Sequence, residues 1–140
     1  MVLQNLNMNL NCTIFFVGFV GFVVFVHSAP RWVSPGNGSV FRIIDAQTEI
    51  RSRNNAKSFC EGIGANLAII KTRHENNVLH ASTQGDLFHW IGLTRAANSN
   101  EYKWDDGTTP SFFPNTIEVG DLEKGANMMF NQGNWLEDPP

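Results

Sequence analysis

The chain has 140 residues, 42% of them apolar, and a formal net charge of −3. That length suffices for one domain with a core of its own. The small net charge excludes a general electrostatic attraction to nucleic acid or to an anionic membrane surface.

Thr13 to Val26 is an uninterrupted apolar run without charge. As a helix it would rise only about 21 Å, short of a hydrocarbon core of about 30 Å. Residues 1–28 therefore read as a signal peptide with cleavage near Ala29, and the product as secreted. The alternative is a membrane-tethered chain holding an uncleaved signal anchor, because the segment before the run has no Lys or Arg. Cleavage leaves no membrane span and makes Cys60 the sole cysteine of the mature chain. In an oxidising compartment that residue pairs between chains, stays a buried thiol, or answers to a cysteine this chain does not carry. Residues 29–39 read as a linker rich in Pro and Gly, with Trp32 exposed on it. Asn37-Gly38-Ser39 within it is a glycosylation sequon.

Val40 to Ile44 is β-branched and aromatic, as a strand requires. Ser52 is a fitting N-cap for a helix in which Ala56, Phe59, Cys60 and Ile63 fall at i, i+3, i+4 and i+7. That spacing predicts one buried face carrying Cys60, ended by Gly62 and Gly64. Leu67 to Ile70 is an apolar strand candidate. Thr72-Arg73-His74-Glu75 is a capping box opening a second helix, with Val78 and Leu79 as core contacts. Gly85-Asp86 breaks the chain before the strand His89 to Leu93, in which Gly92 predicts a close backbone approach. Tyr102 and Trp104 alternate with Lys103 as in a half-buried strand. Asp105-Asp106-Gly107 makes a turn. Residues 108–126 then form a long irregular loop, and residues 127–130 and 134–136 pair as a hairpin around Gln132-Gly133.

From Trp104 onward there are seven carboxylates and only Lys124 to oppose them. Such a segment is a solvated loop region or a hard-cation site. Trp90, Trp104 and Trp135 read as core. Phe112 and Phe113, paired in the long loop, either plug it onto the core or contact a ligand by stacking on a sugar face or anchoring a protein. His74, His80 and His89 lack metal-ligand spacing and read as helix-surface or strand-edge residues. Cys60 reads as structural rather than nucleophilic, and no serine-hydrolase or phosphate-loop motif is present. The chain is not expected to be an enzyme.

One stretch is Ala56-Lys57-Ser58-Phe59-Cys60-Glu61-Gly62-Ile63-Gly64-Ala65-Asn66-Leu67-Ala68-Ile69-Ile70. It resembles the Ala-x-x-x-Cys-x-x-x-Gly-Ala-x-Leu-Ala-x-Ile pattern of C-type lectin-like domains. Glu75-Asn76, Trp90-Ile91-Gly92-Leu93, Trp104-Asp105-Asp106-Gly107 and Gly133-Asn134-Trp135 follow in the family's order. The resemblance covers residues 40–140. It implies an α+β, C-type lectin-like fold with two helices, small antiparallel sheets and a long irregular loop. It also implies that the family's final strand lies beyond Pro140. That strand carries the cysteine the family pairs with the one at position 60. The family's second disulfide has Asn127 and Pro140 at its cysteine positions.

Sugar-binding members hold calcium with a Glu-Pro-Asn or Gln-Pro-Asp segment and the Asn and Asp of Trp-Asn-Asp. Here the corresponding segments read Val119-Gly120-Asp121 and Trp135-Leu136-Glu137. The resemblance thus leaves Asp121, Glu123 and Glu137 as metal candidates, and these three with Phe112 and Phe113 as ligand-binding candidates. The expected function is carbohydrate recognition with a degraded calcium site and no obligatory cofactor. The alternative is a calcium-independent protein-interaction module, or an inactive truncated isoform. Partners would be a glycan or a cell-surface or extracellular protein.

Overall fold

The computed structural model describes residues 2–5, 31–44, 52–83, 88–121 and 123–138. Cys12, the apolar run Thr13 to Val26, Gly85-Asp86 and Pro140 lie outside the described residues. Two helices pack with two small sheets, an α+β arrangement as the sequence predicts.

The first sheet contains β1 (Val2–Asn5), β2 (Arg31–Val33), β3 (Val40–Ile43) and β4 (Asn66–Leu67) in the order β2-β3-β1-β4. Two of these strands fall in segments expected to lie outside the fold. β2 lies within the predicted linker and pairs antiparallel with β3. β1 lies within the predicted leader and is an inner strand, antiparallel to both β3 and β4. Phe41 and Ile43 of β3 are buried on the alternation expected of the pleat.

α1 (Arg53–Gly62) begins where the Ser52 side chain accepts a hydrogen bond from the Asn55 N–H. It ends in a Schellman arrangement. Ala65 N–H bonds the Cys60 carbonyl at 2.9 Å and Gly64 N–H bonds that of Glu61 at 3.0 Å. Gly64 takes the required left-handed conformation at φ 72°. The buried stripe differs from the predicted one. It runs through Arg53, Ala56 and Cys60, while Phe59 and Ile63 remain 40% and 44% exposed. The helix is rotated towards Arg53 because Asp105 draws that guanidinium in at 2.6 Å.

α2 (Arg73–Ser82) has the predicted capping box, with Thr72 Oγ1 accepting from Glu75 N–H and Glu75 Oε2 accepting from Thr72 N–H. Leu79 is fully buried and Val78 half-buried.

The second sheet has the order β6-β5-β8-β9-β7. Its strands are β5 (His89–Arg95), β6 (Tyr102–Trp104), β7 (Ile117–Glu118), β8 (Ala126–Asn131) and β9 (Asn134–Asp138). β5 runs two residues past the predicted end, and His89 is buried within it rather than sitting at its edge. Gly92 lets the strands approach closely, since a Cβ there would lie 3.1 Å from the Leu67 carbonyl oxygen. β8 and β9 form the predicted hairpin, turning through Gln132 (φ 48°) and Gly133 (φ 82°). The long loop holds the two-residue strand β7, which pairs parallel with β9.

The main core joins Phe41, Ile70, Leu79, Ile91, Phe130 and Trp135. Trp104 and Trp135 are buried, edge to face at 5.6 Å. Trp90 is half-buried instead, against a second cluster of Ala56, Cys60, Ala65 and Leu67.

Candidate functional site

The acidic end folds around a cation from the chain itself. Arg95, the last residue of β5, is buried. Its Nε and Nη2 reach the two carboxylate oxygens of Glu137 at 2.6 and 2.9 Å, a bidentate pair in which both side chains are 1% exposed. The same guanidinium donates to the carbonyls of Ser99 (3.1 Å) and Asp121 (3.1 Å). Glu137 also accepts from the Tyr102 hydroxyl at 2.8 Å and from Gly120 N–H at 2.7 Å. Together the two side chains fasten β9, β6, the segment after β5 and the loop at residues 120–121.

The protonation states follow from these contacts. The Arg95 hydrogen bonds hold Glu137 below the ordinary carboxylate range, against the opposing effect of burial. The Glu137 hydrogen bond raises Arg95 above its already high value. Burial, followed by the hydrogen bond to Glu137, pushes the Tyr102 hydroxyl up to about 12.

These contacts bear on the metal candidates. Both Glu137 oxygens are committed to protein donors. Asp121 Oδ1 accepts from Glu123 N–H at 3.0 Å, and Asp121 Oδ2 lies 3.8 Å from Lys124 Nζ. Glu123 is exposed. Among the described residues, no three His, Cys, Asp or Glu side chains converge to hold a metal ion. Leu136 offers no ligand where the family has Asn, so the residues present do not fit calcium.

Phe112 and Phe113 divide the two roles weighed for them. Phe112 is half-buried, edge to face with Trp135 at 5.8 Å, with the Arg73 guanidinium 5.4 Å from its ring centre. Phe113 is 38% exposed and stands edge to face with Tyr102 at 5.6 Å. An open groove runs along Phe113 and Tyr102, lined also by Asn100, Glu101, Lys103 and Thr109. It sets an aromatic surface beside amide, carboxylate, ammonium and hydroxyl groups. Arg95 was not singled out from the sequence, and Tyr102 and Lys103 were read only as strand residues. The one available signal was a charged residue two positions after the apolar stretch His89 to Leu93, which needs a partner if the strand continues buried.

Asn37, the sequon residue, is exposed. Its Nδ2 donates to Glu75 Oε1 at 2.8 Å, and Ser39 Oγ donates to the same oxygen at 3.0 Å. Cys60 is fully buried, and burial raises its thiol to about 12. No helix of the described residues is long and apolar enough to cross a membrane.

The Lectin C-type domain family matches residues 49–139. The chain belongs to the C-type lectin domain family. It is 30% identical over 116 residues to C-type lectin domain family 4 member G of Mus musculus, covering 79% of this chain and 38% of that protein. It is 38% identical over 96 residues to ovocleidin-17 of Gallus gallus, covering 59% of this chain and 65% of that protein. The chain thus spans less than two thirds of the length of either relative. Among solved structures, the mouse scavenger receptor C-type lectin carbohydrate-recognition domain superposes with a TM-score of 0.54 at 26% identity, over 62% of this chain and 72% of that one. The C-type lectin fold and the two-helix architecture implied by the Trp90-Ile91-Gly92-Leu93 and Cys60 motifs are thus borne out.

Proposed function

We propose that this C-type lectin domain is a secreted recognition module that binds carbohydrate without calcium, in the groove along Phe113. The observation that carries this reading is the Arg95–Glu137 pair. A buried guanidinium already neutralises the carboxylate and ties the loop carbonyls, which is ordering that a bound cation would otherwise supply. Sugar hydroxyls would then be met by Asn100, Glu101, Lys103 and Thr109, with the ring face against Phe113. The name of the mouse scavenger receptor domain, a carbohydrate-recognition domain, supports the ligand class. A protein partner is the second reading, favoured by Val119 standing 56% exposed next to Gly120, which contacts Glu137.

The test is a glycan array read with and without EDTA, beside calorimetry with calcium. The expected outcome is chelator-insensitive glycan binding that Phe113→Ala abolishes. Micromolar calcium affinity with chelator-sensitive binding would overturn the reading. Binding to a cell-surface protein that free sugars do not compete would support the second one instead.

Export and Asn37 glycosylation belong to the same proposal. An N-glycan replaces one Nδ2 hydrogen and leaves the other for Glu75, so modification is compatible with the observed contact. N-terminal sequencing and glycosidase treatment of material secreted by a eukaryotic host test both. A membrane-bound product retaining Thr13 to Val26 would refute secretion.

A further inference from the structure

The loop joining β2 to β3 is latched to α2 through one asparagine. Asn37 Nδ2 donates to Glu75 Oε1 at 2.8 Å, and Asn37 Oδ1 accepts from Ser39 N–H at 3.1 Å. Ser39 Oγ donates to the same Glu75 oxygen at 3.0 Å, and His74 Nε2 lies 3.0 Å from the Pro35 carbonyl oxygen. Glu75 is 1% exposed, and its other oxygen accepts from the Lys71 and Thr72 N–H groups. A carboxylate buried that far needs each of these donors. The residue after Asn37 is Gly38, and this is the sole Asn-Gly pair in the chain. Gly38 has open space where a Cβ would stand, so no side chain hinders the approach of its backbone nitrogen to the neighbouring amide.

We propose that Asn37 is a site of spontaneous deamidation, and that its conversion releases the loop at residues 34–39 from α2. The Gly38 backbone nitrogen attacks Asn37 Cγ, and the new N–C bond closes a succinimide ring. The Cγ–Nδ2 bond breaks, and Nδ2 leaves as ammonia with the proton given up by the Gly38 nitrogen. Water then opens the ring at either carbonyl, leaving aspartate or isoaspartate at position 37. Nothing is oxidised or reduced. The latch gates the reaction. Both heteroatoms of the amide are held, so Cγ can swing onto the Gly38 nitrogen only after Asn37 lets go of Glu75. The product cannot latch again. A carboxylate has no N–H to donate, and it would meet a buried carboxylate at hydrogen-bond distance. The change is irreversible and therefore marks the age of the folded chain. An N-glycan would occupy the same Nδ2 and oppose its departure; that clause alone rests on the glycosylation reading above.

The test uses the full chain made in a bacterial host, where Asn37 carries no glycan, so it does not depend on export. Peptide mapping follows aspartate and isoaspartate at each asparagine during incubation at neutral pH. Asn37 is expected to convert ahead of every other asparagine. Glu75→Ala should convert at Asn37 on the order of tenfold faster than wild type. Thr72→Ala weakens the same helix cap but leaves the Asn37 contact, and it should keep the wild-type rate. That control separates loss of the latch from loss of the cap. Asn37→Asp imitates the product: hydrogen exchange should quicken across residues 34–39 and stay unchanged across residues 73–82. Conversion of Asn37 no faster than that of the other asparagines would overturn the site. Equal rates in wild type and Glu75→Ala, or in Glu75→Ala and Thr72→Ala, would overturn the latch. Should Asn37→Asp fail to fold, wild-type chain aged until converted gives the same exchange reading. Unchanged exchange at residues 34–39 in that chain would overturn the release.

Discussion

Arg95 shows how one residue can decide the chemistry of a site. Removing one partner from a buried ion pair leaves the other charge uncompensated, at a cost of about 3–5 kcal/mol. Arg95→Ala is expected to lose about that much by urea unfolding, well beyond an ordinary surface substitution. The pair also fixes a pH dependence. Glu137 is held below its ordinary value, so its stabilisation is full above the unfolded-state carboxylate range and is lost as pH falls through the lower folded value. Tyr102 works at the other end. Its hydroxyl is raised to about 12, so its share is full below its ordinary value near 10 and declines between there and about 12. Unfolding free energy measured across pH should fall at both extremes, and Glu137→Gln should flatten the acid limb. An acid limb unchanged in Glu137→Gln would contradict this assignment. The paired phenylalanines give a second contrast. Both rings meet Trp135, Phe112 at 5.8 Å and Phe113 at 5.9 Å; the half-buried Phe112→Ala should cost about 1–3 kcal/mol, and the more exposed Phe113→Ala should cost less while removing the proposed glycan binding. The sequence placed both rings in the loop but not which one faces outward. That depends on how residues 111–114 lie over Trp135, more than twenty positions further along.

At the scale of elements, local chemistry was legible and long-range pull was not. The Thr72-to-Glu75 capping box forms as read, because its contacts span three residues. Thr72→Ala is expected to cost about 1 kcal/mol. Glu75→Ala should cost more than Thr72→Ala, since Glu75 also accepts from Lys71 N–H, Asn37 and Ser39. Equal losses by thermal melting would mean that these further contacts contribute nothing. The face of α1 was misread because helical spacing alone centres the stripe between Ala56 and Ile63. The Arg53–Asp105 contact, 52 positions apart, turns it away. β4 is shorter than the apolar run Leu67 to Ile70 suggests: Ala68, Ile69 and Ile70 are buried as core, with one backbone bond from Gly92 N–H to the Ala68 carbonyl rather than a continued ladder. β7 left no periodic trace, because two residues are too few to show a period.

For the whole molecule, the calcium question becomes one of linkage. A site with a Kd of about 1 μM would add about 4 kcal/mol to stability in about 1 mM calcium. The expected outcome is no change in melting temperature on adding calcium or EDTA. A rise of several degrees would restore a metal-dependent domain. The family and its fold were legible from five short motifs in order, because each marks a helix end, a close approach or a turn. The pairing of Val2–Asn5 between β3 and β4 was not, since an inner strand is defined by neighbours far along the chain.

Asn76 has one more consequence. Its side-chain amide donates to the Gly133 carbonyl at 2.8 Å and accepts from the Trp135 indole N–H at 3.0 Å, ties that span 57 and 59 positions. On a ribosome adding roughly 5–20 residues per second, Trp135 is made about 3–12 s after Asn76. Throughout that interval α2 has its cap but lacks its indole partner, and Leu79 and Phe41 have no completed core to enter. The core around Leu79 and Phe41 therefore closes only once the last hairpin has been made.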